Sequence, residues 1–182
     1  MNLSPDDLAK MYAACLVKRE NKIELGNICQ KMMFYKPRYQ TVGDKIGVPW
    51  DVVAAIHYRE SNLNFSRYLQ NGDPLFDSNG TPVKTVHVPI GQGPYKTWEE
   101  SAIAALSGTY PPRPNTWCIG TRLDFCERYN GLGDRMQHRM SPYIWSYTNL
   151  YSIGKYDDDH EYNPTLIDQQ AGCAAIFKTL GI

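Results

Sequence analysis

The chain has 182 residues, 19 basic and 19 acidic side chains, a formal net charge of zero and 42% apolar residues. That length fits one domain, and the composition excludes a wholly disordered or collagen-like chain. The neutral balance excludes the strongly basic domain of a dedicated nucleic-acid binder, and no run approaches the ~18 consecutive apolar residues of a membrane-spanning helix.

Met1-Asn2-Leu3 lacks the basic start and apolar run of a secretory signal, which predicts synthesis in a cytoplasm without that signal. Ser4-Pro5-Asp6-Asp7 reads as a helix start: Ser4 caps, Pro5 suits the first helical position, and the two Asp favour the positive end of the dipole. Leu8, Met11, Tyr12, Cys15 and Leu16 follow at helical spacing. Further helices are expected over 23–35 and over 38–46, the second stopped by Gly47. Pro49 opens a helix over 50–61, and Val52, Val53, Ile56 and Tyr58 mark it as a buried central one.

From 62 to 94 the texture changes. Asn71-Gly72 and Asn79-Gly80 signal turns. The β-branched stretch around Val83, Thr85, Val86 and Val88 predicts a small hairpin or three-stranded sheet. Gly91-Gln92-Gly93-Pro94 reads as a loop. Helices resume over 97–106, where Thr97 and Glu100 fit a capping box, and over 115–129. Residues 131–158 form a long irregular segment, and a last helix is expected over 166–180. The sum is a mainly α (α+β) single domain over 1–182 with a small β insertion in its first half. Its parts are an N-terminal helical stretch to 47, a middle region over 48–151, and a C-terminal helical part over 152–182.

The 13 Tyr and 4 Trp suit either a core or stacking surfaces for rings. Five cysteines, Cys15, Cys29, Cys118, Cys126 and Cys173, form no CxxC pair, so no structural zinc site is expected and the thiols should be free and mostly buried. His57 and Glu60 stand at i, i+3, but Ser61 replaces the second His that a helical zinc site needs. No cofactor or metal is expected. Asp157, Asp158, Asp159 and Glu161 read as a solvated acidic loop.

Glu60-Ser61 ends the Pro49 helix just before the β-rich stretch, so Glu60 lies at the edge of a cleft between two subregions. A partly apolar edge raises a carboxyl pKa, as a general acid near neutrality requires. A salt-bridged helix-end Glu is the plain alternative. Asp73 follows thirteen residues later in a turn-rich loop, where it is either functional or a turn residue. Tyr129-Asn130-Gly131 follows a later helix, as a functional loop or as a buried Tyr with a helix cap.

Taken in order, Glu60-Ser61, Ile90-Gly91-Gln92-Gly93 and Tyr129-Asn130-Gly131 resemble the motifs of lysozyme-like peptidoglycan glycosidases, the goose-type lysozymes and family 1 lytic transglycosylases. Asn71-Gly72-Asp73-Pro74-Leu75 and Ser141-Pro142-Tyr143-Ile144-Trp145-Ser146 are similar to stretches of phage and bacterial lysozyme-like proteins. The middle motif departs from the Gly-Leu-Met-Gln form usual in those families. The resemblance implies a lysozyme-like fold and cleavage of the β-1,4 bond between N-acetylmuramic acid and N-acetylglucosamine. It implies Glu60 as the acid and Asp73, with Asp77 in reserve, as the base that activates water. Ser61, Gln92, Tyr129, Asn130, Tyr143 and Trp145 become candidate substrate contacts, and Tyr151 a further ring for the glycan groove. The alternatives are a lytic transglycosylase using Glu60 alone, and a glycan-binding module without catalysis. The expected partner is the peptidoglycan glycan strand, met by a monomer at the bacterial wall.

Overall fold

The computed structural model describes residues 3–156 and 161–182. Among these residues the protein is mainly helical, with α1 over Pro5–Ala14, α2 over Lys22–Phe34, α3 over Lys36–Ile46, α4 over Trp50–Ser61, α5 over Trp98–Leu106 and α6 over Ile119–Asn130. Two one-turn helices, α7 (Gly133–Met136) and α8 (Pro142–Trp145), precede the antiparallel pair β1 (Lys155–Tyr156) and β2 (Tyr162–Asn163), and α9 covers Cys173–Leu180. Contacts divide the chain into two compact units, one built from residues 1–31 and 110–182, the other from 32–109.

Local chemistry explains most of the helix ends. The Ser4 hydroxyl oxygen accepts from the Asp7 N–H at 3.2 Å, and the Asp7 carboxylate accepts from the Ser4 N–H at 3.0 Å, a reciprocal capping box. The Thr97 hydroxyl accepts from the Glu100 N–H, while the Glu100 carboxylate reaches one residue further out to the Lys96 N–H. Gly47, at φ 71°, ends α3 in the left-handed region that glycine adopts without penalty. A Cβ on Gly43 would land on the Val48 carbonyl oxygen, so glycine there lets the chain fold straight back into α4.

In the first unit α6 packs against α1, α8 and α9. Gly120, in the first turn of α6, lies directly against the Pro5 carbonyl at the start of α1, where any side chain would collide with that oxygen. Gly172 lies in the same way on the backbone of Ile144 and Ser146. The β1–β2 pair carries Tyr156 and Tyr162, and the Arg139 guanidinium stacks 3.8 Å from the Tyr162 ring centre. In the second unit α3 packs on α4 and α5. Tyr39, His57, Phe65 and Trp98 form one aromatic cluster there, with the His57 and Trp98 rings 4.4 Å apart and the Tyr39 hydroxyl 3.0 Å from His57 Nδ1. Arg38 covers Phe65 at 3.8 Å and is bonded through Nη2 to Glu99 at 3.1 Å.

Three expectations are corrected. The β insertion in the first half is absent as a sheet: residues 62–96 hold only the isolated bridges Arg67–Pro74 and Phe76–Pro82, and the two-stranded sheet lies at 155–163. Prolines 82, 89 and 94 supply no N–H to a ladder, and the N–H groups of Val86 and His87 go to a carboxylate instead. The helix expected from 115 starts at Ile119, because Thr121 turns its hydroxyl back to the carbonyls of Thr116 and Cys118. The last helix starts at Cys173, since the Asp168 carboxylate accepts the Gln170 N–H in a local turn before it. The five thiols are free and mostly buried as expected, Cys118 being the exposed one. Asp157, Asp158 and Asp159 of the expected acidic loop lie outside the described residues, and Glu161 is exposed.

Candidate active site

The second unit brings Glu60 and Asp73 to neighbouring stretches of chain. Every residue of α4 from Asp51 to Tyr58 is buried, which fixes the helix as a rigid post. Glu60 and Arg59, in its last turn, are half-buried. The helix then stops abruptly: Asn62 and Leu63 both take left-handed conformations, at φ 53° and 55°. Asn tolerates that region, whereas Leu does not adopt it readily. Burial of Leu63 and the bonds Asn62 N–H to Tyr58 O, 2.9 Å, and Leu63 N–H to His57 O, 3.4 Å, hold the turn in place. Strained backbone of this kind is concentrated at functional sites.

The loop beyond returns to the end of α4. A Cβ on Gly72 would lie 3.8 Å from the Glu60 carbonyl oxygen, so the 70–73 turn abuts the helix end. Asn71 Oδ1 accepts the Asp73 N–H at 3.0 Å, and the Tyr68 N–H donates to Asp73 O at 2.7 Å. The Asp73 carboxylate is buried. Its Oδ2 accepts from the Val86 N–H at 2.8 Å, the His87 N–H at 2.9 Å and Asn71 Nδ2 at 3.1 Å, and its Oδ1 meets His87 Nδ1 at 2.5 Å. Burial works to raise this carboxyl, but the His87 and Val86 donors outweigh it and hold Asp73 below its usual range. Asp77, the reserve candidate, uses Oδ1 to accept the N–H groups of Asn79 and Thr81 at 2.8 and 2.9 Å. Both aspartates therefore tie turns.

Residues 85–92 close on themselves. The Thr85 N–H donates to Gln92 O at 3.1 Å, and the Thr85 hydroxyl accepts the Gln92 N–H at 2.9 Å and donates to Pro89 O at 2.5 Å. Gly93, at φ 83°, has no room for a Cβ because the Tyr68 hydroxyl occupies that place. Tyr68 in turn donates to Val83 O at 2.6 Å. This folding opens a groove of about 240 Å³ lined by Gln70, Pro89, Gln92, Tyr95, Ala104 and Ala105. Gln70 is one of these lining residues, and its Oε1 is buried with no hydrogen-bond partner among the described residues. Glu60 and Asp73 are not among the six lining residues; the Gly72 turn that abuts the Glu60 carbonyl follows the lining Gln70 in the chain.

The remaining candidates fare differently. Gln92 lines the groove as the sequence suggested. Ser61 is turned back into its helix, its hydroxyl donating to His57 O at 3.3 Å. Tyr143 and Trp145 are 3% and 1% exposed, so neither offers a ring face to a glycan, and Tyr151 is likewise buried. These aromatics serve the core of the first unit, together with Ile144 and Tyr147 of the same segment. Tyr129 and Asn130 form the last turn of α6 in the first unit, where the Gly131 N–H donates to Glu127 O at 2.9 Å. Sequence reasoning missed Gln70, Tyr95 and His87. The first two lie beside motifs already singled out, whereas nothing in local spacing links His87 to Asp73. Among the described residues no three His, Cys, Asp or Glu gather to hold a metal, and no helix is long and apolar enough to cross a membrane.

No family model, no curated protein and no solved structure matches this chain.

Proposed function

We propose that this protein is a lysozyme-like muramidase that cleaves the β-1,4 bond between N-acetylmuramic acid and N-acetylglucosamine in bacterial peptidoglycan, with Glu60 as the general acid. The observation that carries this reading is the half-buried Glu60 at the abrupt end of a buried helix, in the unit that also holds a groove lined by Gln70, Gln92 and Tyr95. Gln70 Oε1 suits the N–H of an N-acetyl group, and Tyr95 offers a flat face to a sugar ring. Gln92 adds a second amide on the opposite loop. The partner is then the glycan strand, and the site of action is the bacterial wall.

One observation favours a second reading within the same chemistry. The Asp73 carboxylate is committed to loop donors, so it is poorly placed to take a proton from water directly. A lytic transglycosylase uses one acid and lets the muramic acid 6-hydroxyl attack, forming a 1,6-anhydro end. Purified walls digested by the protein and analysed by mass spectrometry separate the two, since hydrolysis leaves reducing muramic acid ends. Glu60→Gln keeps the shape and removes the proton donor, and wall lysis should fall about 10²–10⁴-fold with folding intact. Near wild-type lysis by that variant would remove Glu60 from the chemistry.

A further inference from the structure

The loop beside the groove holds a carboxylate–imidazole pair. Asp73 is 3% exposed and anchored by two backbone N–H groups and the Asn71 amide, and its Oδ1 grips His87 Nδ1 at 2.5 Å. The His87 side chain is 77% exposed, and no partner of Nε2 is found among the described residues. A carboxylate on Nδ1 selects the neutral tautomer with its proton there and leaves the Nε2 lone pair as acceptor. It also stabilises the imidazolium formed when Nε2 takes a proton. The pair shares its loop with the groove: Pro89 and Gln92, close to His87 in the chain, line it, and Asn71, next to the lining Gln70, donates to the His87 carbonyl at 3.2 Å.

We propose that His87 is the general base of this site and Asp73 its positioning residue. The proposal rests on the glycosidase reading above. Glu60 gives its proton to the glycosidic oxygen as the bond from that oxygen to the anomeric carbon breaks. A water oxygen forms the new bond to the anomeric carbon, and the proton it loses goes to His87 Nε2. Solvent then takes the proton from His87 and returns one to Glu60, so one water is consumed and two hydroxyl ends result. A chain whose Asp73 and Asp77 both tie backbone thereby still supplies a second proton acceptor. The charged group in contact with His87 is Asp73; the nearby Tyr68 hydroxyl, pushed up by burial, stays neutral and adds no charge.

The test combines kinetics with the state of the ring. On purified walls, His87→Ala and His87→Gln should each lower kcat about 10²-fold or more while thermal unfolding stays at the wild-type midpoint. The acid limb of the wild-type rate profile should disappear in both, and added imidazole should restore part of the His87→Ala rate. Nitrogen NMR of labelled protein should show the neutral ring protonated at Nδ1, and Asp73→Asn should change that signature and flatten the acid limb. Products should carry reducing ends. Wild-type rates and an unchanged acid limb in both His87 variants overturn the proposal, as does a neutral ring protonated at Nε2 or a product pool of mainly anhydro ends. Wild-type protein that releases no glycan fragments at all overturns the glycosidase reading and this proposal with it, an outcome distinct from active enzyme indifferent to His87.

Discussion

Both units of this protein fix a long irregular segment, and they do so with buried charges of opposite sign. In 62–96 the anion Asp73 collects donors from the backbone of its own loop. In 131–172 the cation Arg135, on α7, donates to the carboxylates of Glu127 and Asp124 on α6 and to the Leu3 carbonyl. The consequences differ. Beyond Thr85, where the Asp73 carboxylate grips the backbone, the apolar side chains stay outside: Val86, Val88 and Ile90 are 68%, 79% and 71% exposed. A segment gripped through one side chain turns its own aromatics inward, and Tyr143, Trp145 and Tyr151 become core. The first arrangement leaves a groove with open amides beside it, and the second fills its interior with rings.

Removing the cation should break this comparison most forcefully. Arg135→Met strands the buried Glu127 carboxylate, which costs about 3–5 kcal/mol when one partner of a buried pair is lost. Denaturant unfolding measures this, and a loss under about 1 kcal/mol would mean the network is not what orders the segment. Removing the anion should cost less. Asp73→Asn takes away an acceptor from Val86 and His87, both exposed residues whose N–H groups water can reach, so about 1 kcal/mol is expected, at the low end for a lost bond to a charged group. Hydrogen exchange at the Val86 and His87 amides should accelerate in this variant while the α4 amides stay protected, and acceleration throughout α4 would show that the clasp supports the whole unit.

Acid should act on the two regions with opposite signs, the smallest of these effects. Asp73 lies below its usual 3.8, so its contribution is full above that value and is lost as pH falls through the lower folded value. Glu127 lies above its usual 4.5, raised by burial against the pull of Arg135, so its contribution is full below 4.5 and is lost as pH rises through the higher folded value. Amide exchange followed from pH 7 to pH 3 should therefore keep the Asp73 loop protected to below about 4 while the α6–α7 contact gains protection over the same descent. Early loss at Val86 and His87, above pH 4.5, would contradict the direction of the Asp73 shift.

Much of the helical frame was legible because its signals are local. The Ser4 cap, the Gly47 stop and the Pro49 start all act within a turn of the residue that carries them. The β-branched stretch at 83–88 misled because such residues specify an extended backbone but not its partner. That partner is Asp73, more than ten residues away, and no pattern of spacing announces a carboxylate that replaces a strand. Glu60 was legible as a helix-end acid beside a change of texture. Tyr143 and Trp145 were not separable into core or groove by sequence, since a ring suits both until its neighbours are known. His87 was invisible for the same reason as the missing sheet: its meaning lies wholly in the contact with Asp73.

The contact between Gly120 and the Pro5 carbonyl has a mechanical meaning. Where two helices meet through side chains, one can slide over the other by repacking rotamers, the basis of shear motion in packed proteins. Here α1 and α6 meet backbone to backbone at Gly120, with only the short Ala9 methyl beside the contact. Translation along either axis would drive the peptide group of Pro5 into that of α6. Sliding is opposed at this point, and rotation about it is the motion that the contact hinders least.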